Sequence, residues 1–482
     1  MADTAVPPTT SNAVVNSKHL PLSTKLAFGA GDLAPAIATL IISFFQLFFL
    51  TTVAGLRPIA AGSILLLVRI WDAVNDPIIG WLSDRTRSRW GRRRPWILAG
   101  AVPFGIIFCL QWVVPPLDAD GKFVYYLVMA LLFSIAFTVV NVPYVALTPE
   151  LTQDYDERTK LNSFRFAFSI GGSLMAGVLH QMIVGNVEDP QVGYLLAGLI
   201  WGGFCILPFI WCFLGTREPM HTKQNSEELS LPAQLQIVFS NRPYLFVIGI
   251  YLFSWLAVQM TASVLAFYVT FWLGSADQFS LDLLGISIER VEELIPLMLL
   301  AVQGSALIFL FVWSAVSQRV GKKVVYIIGM LFWIGVQSVL FFVQPDQVLL
   351  ALLLGALAGV GVATAYLIPW SMMPDVIEYD EMRTGQRREG IFYGFMVFLQ
   401  KVGLGLGLYL VSVALQWQGF IEQPKPGDVQ PESALTAIRI LIGPVPTIVL
   451  ICGIILTAFY PITKQKHAEI RAQLAARQAA SE

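Results

Sequence analysis

Twelve runs of mainly apolar residues follow one another along this chain, each long enough to cross a lipid bilayer as a helix. A crossing needs roughly 20 such residues to span about 30 Å of hydrocarbon. The runs lie near 26–53, 60–82, 95–115, 123–147, 163–185 and 192–215, then near 243–273, 291–316, 324–343, 346–373, 391–416 and 438–461. The first and seventh are longer than a crossing requires, so tilt or extension into the interface is expected. Only 13% of the 482 residues are charged, against about a quarter in a soluble domain. The expected fold is an all-α membrane protein. The four cysteines, Cys109, Cys205, Cys212 and Cys452, all lie in apolar runs. There they act as small apolar side chains, and neither disulfides nor a metal site is expected.

The distribution of basic residues sets the expected topology. Twenty-three of the 31 Lys and Arg fall on the N-tail, the even-numbered loops and the C-tail, and five on the odd-numbered loops. Only Arg69, Arg165 and Lys401 lie within runs. A miscounted span would scramble this asymmetry, so the positive-inside rule places both termini in the cytoplasm of a multi-pass cell-membrane protein. Residues 1–24 are polar and lack the pattern of a cleaved signal peptide, so the first span is expected to act as the insertion signal.

The two halves repeat. Pro149-Glu150 followed by Asp154-Tyr155-Asp156-Glu157-Arg158-Thr159 recurs as Pro374-Asp375, Glu378-Tyr379-Asp380-Glu381 and Arg383-Thr384, offset by 224 to 225 residues. Gly91-Arg92-Arg93 recurs as Gly321-Lys322-Lys323. Two parallel six-helix repeats are the mark of the major facilitator architecture. The expected divisions are an N-tail 1–24, a six-helix bundle 25–215, a central loop 216–242, a second bundle 243–461 and a C-tail 462–482.

Ionisable residues inside a span cost about 3 kcal/mol each on insertion scales and call for a reason. Span two reads Arg69-Ile70-Trp71-Asp72-Ala73-Val74-Asn75-Asp76-Pro77. Positions 69, 72 and 76 share one helix face. Counted from Arg85 at about 1.5 Å per residue, Asp72 lies about 20 Å along the helix, near the midplane. Lys401 stands as far from Arg388 as Asp72 does from Arg85, so it reaches a similar depth. Two carboxylates one turn apart in low dielectric repel unless a cation or proton intervenes. Asp72 and Asp76 therefore form a Na⁺ or H⁺ site, with Thr138 and Asn141 of span four as further oxygen ligands. Arg69 and Lys401 are coupling residues. The alternative is that the four charges only neutralise one another and lock helices together.

Asp32, after Gly29-Ala30-Gly31, either caps a kinked helix or binds substrate hydroxyls. Arg165 fits an interface anchor as well as a substrate or gating role. His180 reads as a packed residue. The basic run Ser83 to Pro95 is read as a topogenic anchor rather than a nucleic-acid surface, with Asp84, Arg85 and Arg92 as gating residues and Asp84 available to bridge the halves in one state of the cycle. Gly403, Gly405, Gly407, Gly355, Gly359, Gly171 and Gly172 serve close helix packing. No Walker motif, metal-ligand cluster or nucleophile elbow is present, so no enzyme and no cofactor beyond the coupling ion is expected.

The stretch Arg69 to Pro77, continuing through Gly80-Trp81 to Trp90-Gly91 and Pro95-Trp96, resembles the glycoside–pentoside–hexuronide:cation symporter family, whose best-known member is the melibiose permease. So do Leu147-Thr148-Pro149-Glu150, Pro374 to Glu381 and Gly385 to Gly390. The resemblance implies a Na⁺-, H⁺- or Li⁺-coupled symporter working by alternating access, with a monomeric transport unit in the bilayer. It implies Asp72 and Asp76 as cation carboxylates with Thr138 beside them, and Lys401 as the lysine that responds to them. It further implies Asp32, Arg165 and Tyr366 as substrate residues. Asn141 stands where the melibiose branch has an acidic sugar ligand, and Val145 where it has a tryptophan. A sugar or glycoside is the expected solute. The alternatives are a lysophospholipid, which a vertebrate branch with the same motif imports, another small solute, or a non-transporting membrane sensor.

Overall fold

The computed structural model describes residues 20–152, 155–218, 231–275, 281–283, 286–288, 291–386, 388–423 and 428–481. Among them, eleven helices are long and apolar enough to cross a membrane, and a shorter apolar helix, Arg94–Leu110, stands where span three is expected. That helix ends five residues before the expected boundary because Pro115 and Pro116 follow. The chain ahead of a proline is pushed out of the helical region. Trp112 instead turns back into the core, stacked 5.6 Å from Tyr194.

Spans two, four, five and six are Pro58–Arg85, Ala119–Leu151, Tyr155–Gly185 and Pro190–Gly215. Spans eight to eleven are Leu294–Val320, Lys322–Phe342, Val348–Thr384 and Glu389–Trp417. Span twelve breaks at Gly443 into Glu432–Ile442 and Pro444–Ala458. Local chemistry sets several of these ends. Asp118 accepts from the Gly121 amide at 2.9 Å at the start of span four. Asn241 does the same for the Tyr244 amide at 3.1 Å in span seven, which opens with Pro243 near its first position. Such caps satisfy donors that the helix itself leaves free. Between spans eight and nine the whole connection is Gly321, at φ 89°. A residue with a Cβ would be strained there.

Spans one and seven are irregular in the same way. Span one runs Leu22–Ala30, turns at Gly31 and Asp32, resumes as Leu33–Ile41, and then carries π-helical turns at Ile42–Gln46 and Phe49–Val53. Span seven, Arg242–Phe267, ends in a π turn at Tyr268–Trp272. Each π turn adds a residue per turn and re-aims the side chains beyond it. Here the re-aimed aromatics meet: Phe48 lies 5.1 Å from Phe267 and 6.1 Å from Phe271.

Small residues let the helices approach closely. A Cβ on Gly405 of span eleven would lie 2.8 Å from the Arg69 side chain, so this glycine allows span eleven to pass directly over the charged face of span two. Outside the spans, Leu231–Ser240 and Lys464–Ser481 are also helical. A short hairpin pairs Leu281–Leu283 with Ile286–Ile288 in the interval between spans seven and eight.

Candidate functional site

Span two delivers its two carboxylates into the middle of the helix bundle. The Asp72 side chain is 4% exposed and the Asp76 side chain 28%. One Asp72 oxygen accepts from the Ser134 hydroxyl; the other lies 3.2 Å from the Arg69 guanidinium and 3.8 Å from the Lys401 ammonium. Asp76 accepts from Thr138 at 2.8 Å and, on its second oxygen, from Lys401 itself. Asn75 adds a bond from its amide to the Ser134 carbonyl at 3.3 Å. Two carboxylates, one guanidinium and one ammonium sum to zero charge. Such a network is tolerable in low dielectric because every ion is paired and hydrogen-bonded. Four side chains supply only oxygen atoms here: Asp72, Asp76, Ser134 and Thr138. That donor set suits a hard cation, and either carboxylate can take a proton instead.

Beside this cluster lies a cavity of about 490 Å³. Asp32 and Arg165 form its charged wall, joined at 3.2 Å. The turn at Gly31–Asp32 puts Asp32 in the cap position of the resumed helix, yet its side chain makes no capping bond. It lines the cavity and faces Arg165. Amide side chains of Asn141, Gln259, Gln303 and Gln400 also line the space, with Trp255 and Tyr366 as aromatic surface, their rings 5.7 Å apart. Thr39 and Phe137 line both this cavity and a small one of about 40 Å³ that reaches Asp72. The solute-sized space and the ion cluster therefore share a wall.

The first six spans meet the last six tightly on the side of the odd-numbered loops. Gln259 donates to Ser43 at 3.5 Å, the Ile59 amide to Gln416 at 3.3 Å, and Gln423 to the Val53 carbonyl at 2.5 Å. The Phe48, Phe267 and Phe271 cluster lies on the same side. On the side of the even-numbered loops, Phe166 and Ile170 of span five and Trp81 of span two stand exposed. The structure is sealed at one end.

The basic run of loop two–three folds onto its own bundle. Arg92 pairs with Glu150 at the end of span four, and Arg93 reaches Glu150 at 3.3 Å and Asp84 at 3.1 Å. Glu218, just past span six, accepts from the Arg93 amide at 3.0 Å. Arg85 lies over the Trp81 ring at 3.8 Å. In this conformation Asp84 bridges no gap between the halves. Burial, then a hydrogen bond shared with Glu218, pushes Glu150 up to about 7, against the pull of Arg92 and Arg93. A carboxyl raised on folding contributes stability that is complete below its ordinary value and is lost as pH climbs through the raised one. The free energy of unfolding is therefore expected to fall between about pH 5 and pH 7, by at most about 1.4 kcal/mol per pH unit from this group, with the thermal midpoint falling alongside. The Glu150→Gln variant should lose that slope in a thermal-shift titration. An identical slope in both proteins would reject the assignment.

The sequence pattern of the MFS/sugar transport protein family matches residues 27–464. The chain belongs to that family. This family member is 44% identical to an uncharacterized symporter of Synechocystis sp. over 96% of its own length and 98% of the relative's. It is 28% identical to a sodium-dependent lysophosphatidylcholine symporter 1-A of Danio rerio, over 93% of its length and 87% of the relative's. In three dimensions it resembles a bacterial homolog of the human lysosomal transporter Spinster, with a TM-score of 0.66 at 13% identity, covering 94% of this chain and 97% of that one. It is a multi-pass membrane symporter of the major facilitator fold, not an enzyme.

Within this transporter the structure brings together Arg69, Asp72, Asp76, Thr138 and Lys401 as the spacing anticipates. Asn141 instead lines the large cavity with Asp32, Arg165 and Tyr366, and its amide forms no hydrogen bond to either aspartate. Sequence reasoning passed over Ser134, although Ser134, Thr138 and Asn141 fall at i, i+4 and i+7 of one helix face. It also passed over Gln259, Gln303 and Gln400, whose signal is a lone amide in an apolar run. His180 is fully buried and stacked 4.7 Å from Phe45, as a packed residue should be.

Proposed function

We propose that this chain couples the inward movement of Na⁺ or H⁺ to import of a sugar or glycoside by alternating access. The observation that carries the reading is the Lys401 ammonium set between Asp76 and Asp72, one wall away from a cavity of about 490 Å³. Pockets of this order suit small organic ligands. An incoming cation competes with Lys401 for the carboxylates. Loading it displaces a span-eleven charge from a span-two pair, which changes how the two halves hold each other. Arg69 keeps Asp72 partly neutralised throughout. When Na⁺ is the ion, Asp72, Asp76, Ser134 and Thr138 hold it.

On the solute side, Asp32 accepts from hydroxyls, Arg165 donates, and the amides of Asn141, Gln259, Gln303 and Gln400 do both. Tyr366 and Trp255 offer the faces on which the apolar side of a sugar ring stacks. Asp84, Arg85 and Arg92 act within the first bundle as a rigid cytoplasmic clasp. Localisation in the cell membrane with both termini cytoplasmic follows from the basic residues. A second reading, transport of a lysophospholipid, is favoured by the apolar part of the cavity wall, Ile170, Leu174, Leu307 and Leu310.

The test is uptake into proteoliposomes of labelled galactosides, glucosides, pentosides and lysophospholipids, with and without an inward Na⁺ or H⁺ gradient. Gradient-dependent accumulation of a glycoside is expected and names the ion. Movement of lysophospholipid alone would replace the solute and keep the ion site.

A further inference from the structure

Far from the transport path, spans eight, nine and ten and the helix Lys464–Ser481 enclose a second cavity of about 710 Å³. Basic side chains dominate its wall: Lys322, Lys323, Lys464, His467 and Arg471. Its one acidic lining residue, Asp375, is already paired. Lys322 donates to both Asp375 oxygens, at 2.7 and 2.8 Å, and to the Ser371 carbonyl at 2.6 Å. His467 lies 2.8 Å from Glu378 and 3.4 Å from Asp375.

The remaining cations keep donors in reserve. Lys323 spends one on the Ala458 carbonyl at 2.6 Å, and Lys464 spends two on Gln318 and Arg319 carbonyls at 2.8 and 3.1 Å. Each ammonium carries three donors and a guanidinium five. Arg471 makes no hydrogen bond or ion pair among the described residues. The N-termini of span nine and of the last helix both open here, and span nine has no side-chain cap. Both helix ends add partial positive charge, although Thr463 caps the last helix by accepting from the Lys466 amide at 3.2 Å.

Tyr460 packs behind this basic wall. It lines the cavity, is 3% exposed, and its hydroxyl has no hydrogen-bond partner. An orphaned buried donor costs about 1–3 kcal/mol. Burial, and secondarily the Asp375 charge, raises this phenol well above its ordinary value, so it stays a donor. The wall is also fixed: Ile470 is 1% exposed, and Arg477 donates to the Met382 carbonyl at 2.5 Å.

We propose that this cavity binds a phosphate-bearing anion, held by Lys323, Lys464 and Arg471. The phosphate belongs either to a soluble compound or to the headgroup of an anionic phospholipid. The proposal is independent of the transported solute.

The test uses the full chain in phosphatidylcholine nanodiscs, titrated calorimetrically with inorganic phosphate and with pyrophosphate. In parallel, native mass spectrometry scores retention of phosphatidylglycerol from mixed phosphatidylcholine–phosphatidylglycerol bilayers. Arg471→Ala should weaken the bound probe at least about tenfold and Lys323→Ala about three- to tenfold. The control Lys466→Ala, which breaks an exposed pair with Glu469, should leave binding unchanged. Loss of soluble-anion binding in the variants assigns a soluble source, and loss of phosphatidylglycerol retention alone assigns a headgroup. If the unaltered protein takes neither probe, or Arg471→Ala binds as well as the unaltered protein, the proposal is overturned.

Discussion

Replacing Asp76 by asparagine is expected to abolish ion-driven accumulation while leaving the folded protein able to bind its solute. Asparagine keeps the shape of the side chain and an oxygen for the Thr138 hydroxyl, which now bonds Asp76 at 2.8 Å. What it removes is one of two negative charges. The site then holds Asp72 against Arg69 and Lys401, a net charge of +1, and repels the cation it is meant to take. Removing one member of a buried ion pair typically costs about 3–5 kcal/mol, which corresponds to roughly 10²–10⁴ in cation affinity. Accumulation in proteoliposomes should fall to simple equilibration. Solute affinity should stay within about threefold, under 1 kcal/mol, because Asp76 does not line the large cavity. Glu469→Gln, which removes a carboxylate from an exposed pair with Lys466, serves as a charge-matched control and should accumulate normally. Concentrative uptake by Asp76→Asn at the unaltered level would remove Asp76 from the cation site.

The ion cluster was legible because charge is so expensive in a span that Arg69, Asp72, Asp76 and Lys401 stand out against their neighbours. A rise of about 1.5 Å per residue then suffices to match their depths. Ser134 was not legible on the same ground. A serine in a span costs little, and only its register with Thr138 marks it. The solute cavity was half visible for a related reason. Asp32 and Arg165 announce themselves by charge, whereas Gln259, Gln303 and Gln400 come together only through the crossing of spans seven, eight and eleven. The π turns that bring Phe48 to Phe267 depend on packing between helices rather than on any local composition. Asp84 also stood out by charge, and in this conformation its partner is Arg93, nine residues on in the same loop. Charge identifies a residue that needs a partner; the backbone path decides which one it finds.

Asp32→Ala is expected to lose solute binding by roughly two orders of magnitude or more, with the cation site intact. Asp32 is 7% exposed and faces Arg165 across 3.2 Å. A sugar diol bridging such a pair accepts from the guanidinium and donates to the carboxylate. Hydrogen bonds to charged groups contribute about 1.5–3 kcal/mol each. Truncation removes the carboxylate's share and also leaves Arg165 unpaired in the cavity wall, so the two costs add. Asp32→Asn restores an acceptor of the same shape without the charge and should recover part of the loss, to within about tenfold to fiftyfold of the unaltered affinity. The discriminating measurement pairs solute titration with cation titration on the same purified variants. A positioning role confined to the helix turn at Gly31 would weaken both ligands together and would not distinguish Asn from Ala. Loss of solute binding alone, with Asn intermediate, is the outcome that places Asp32 against the solute. Unchanged solute affinity in Asp32→Ala would move the recognition site to the amide wall formed by Asn141, Gln303 and Gln400.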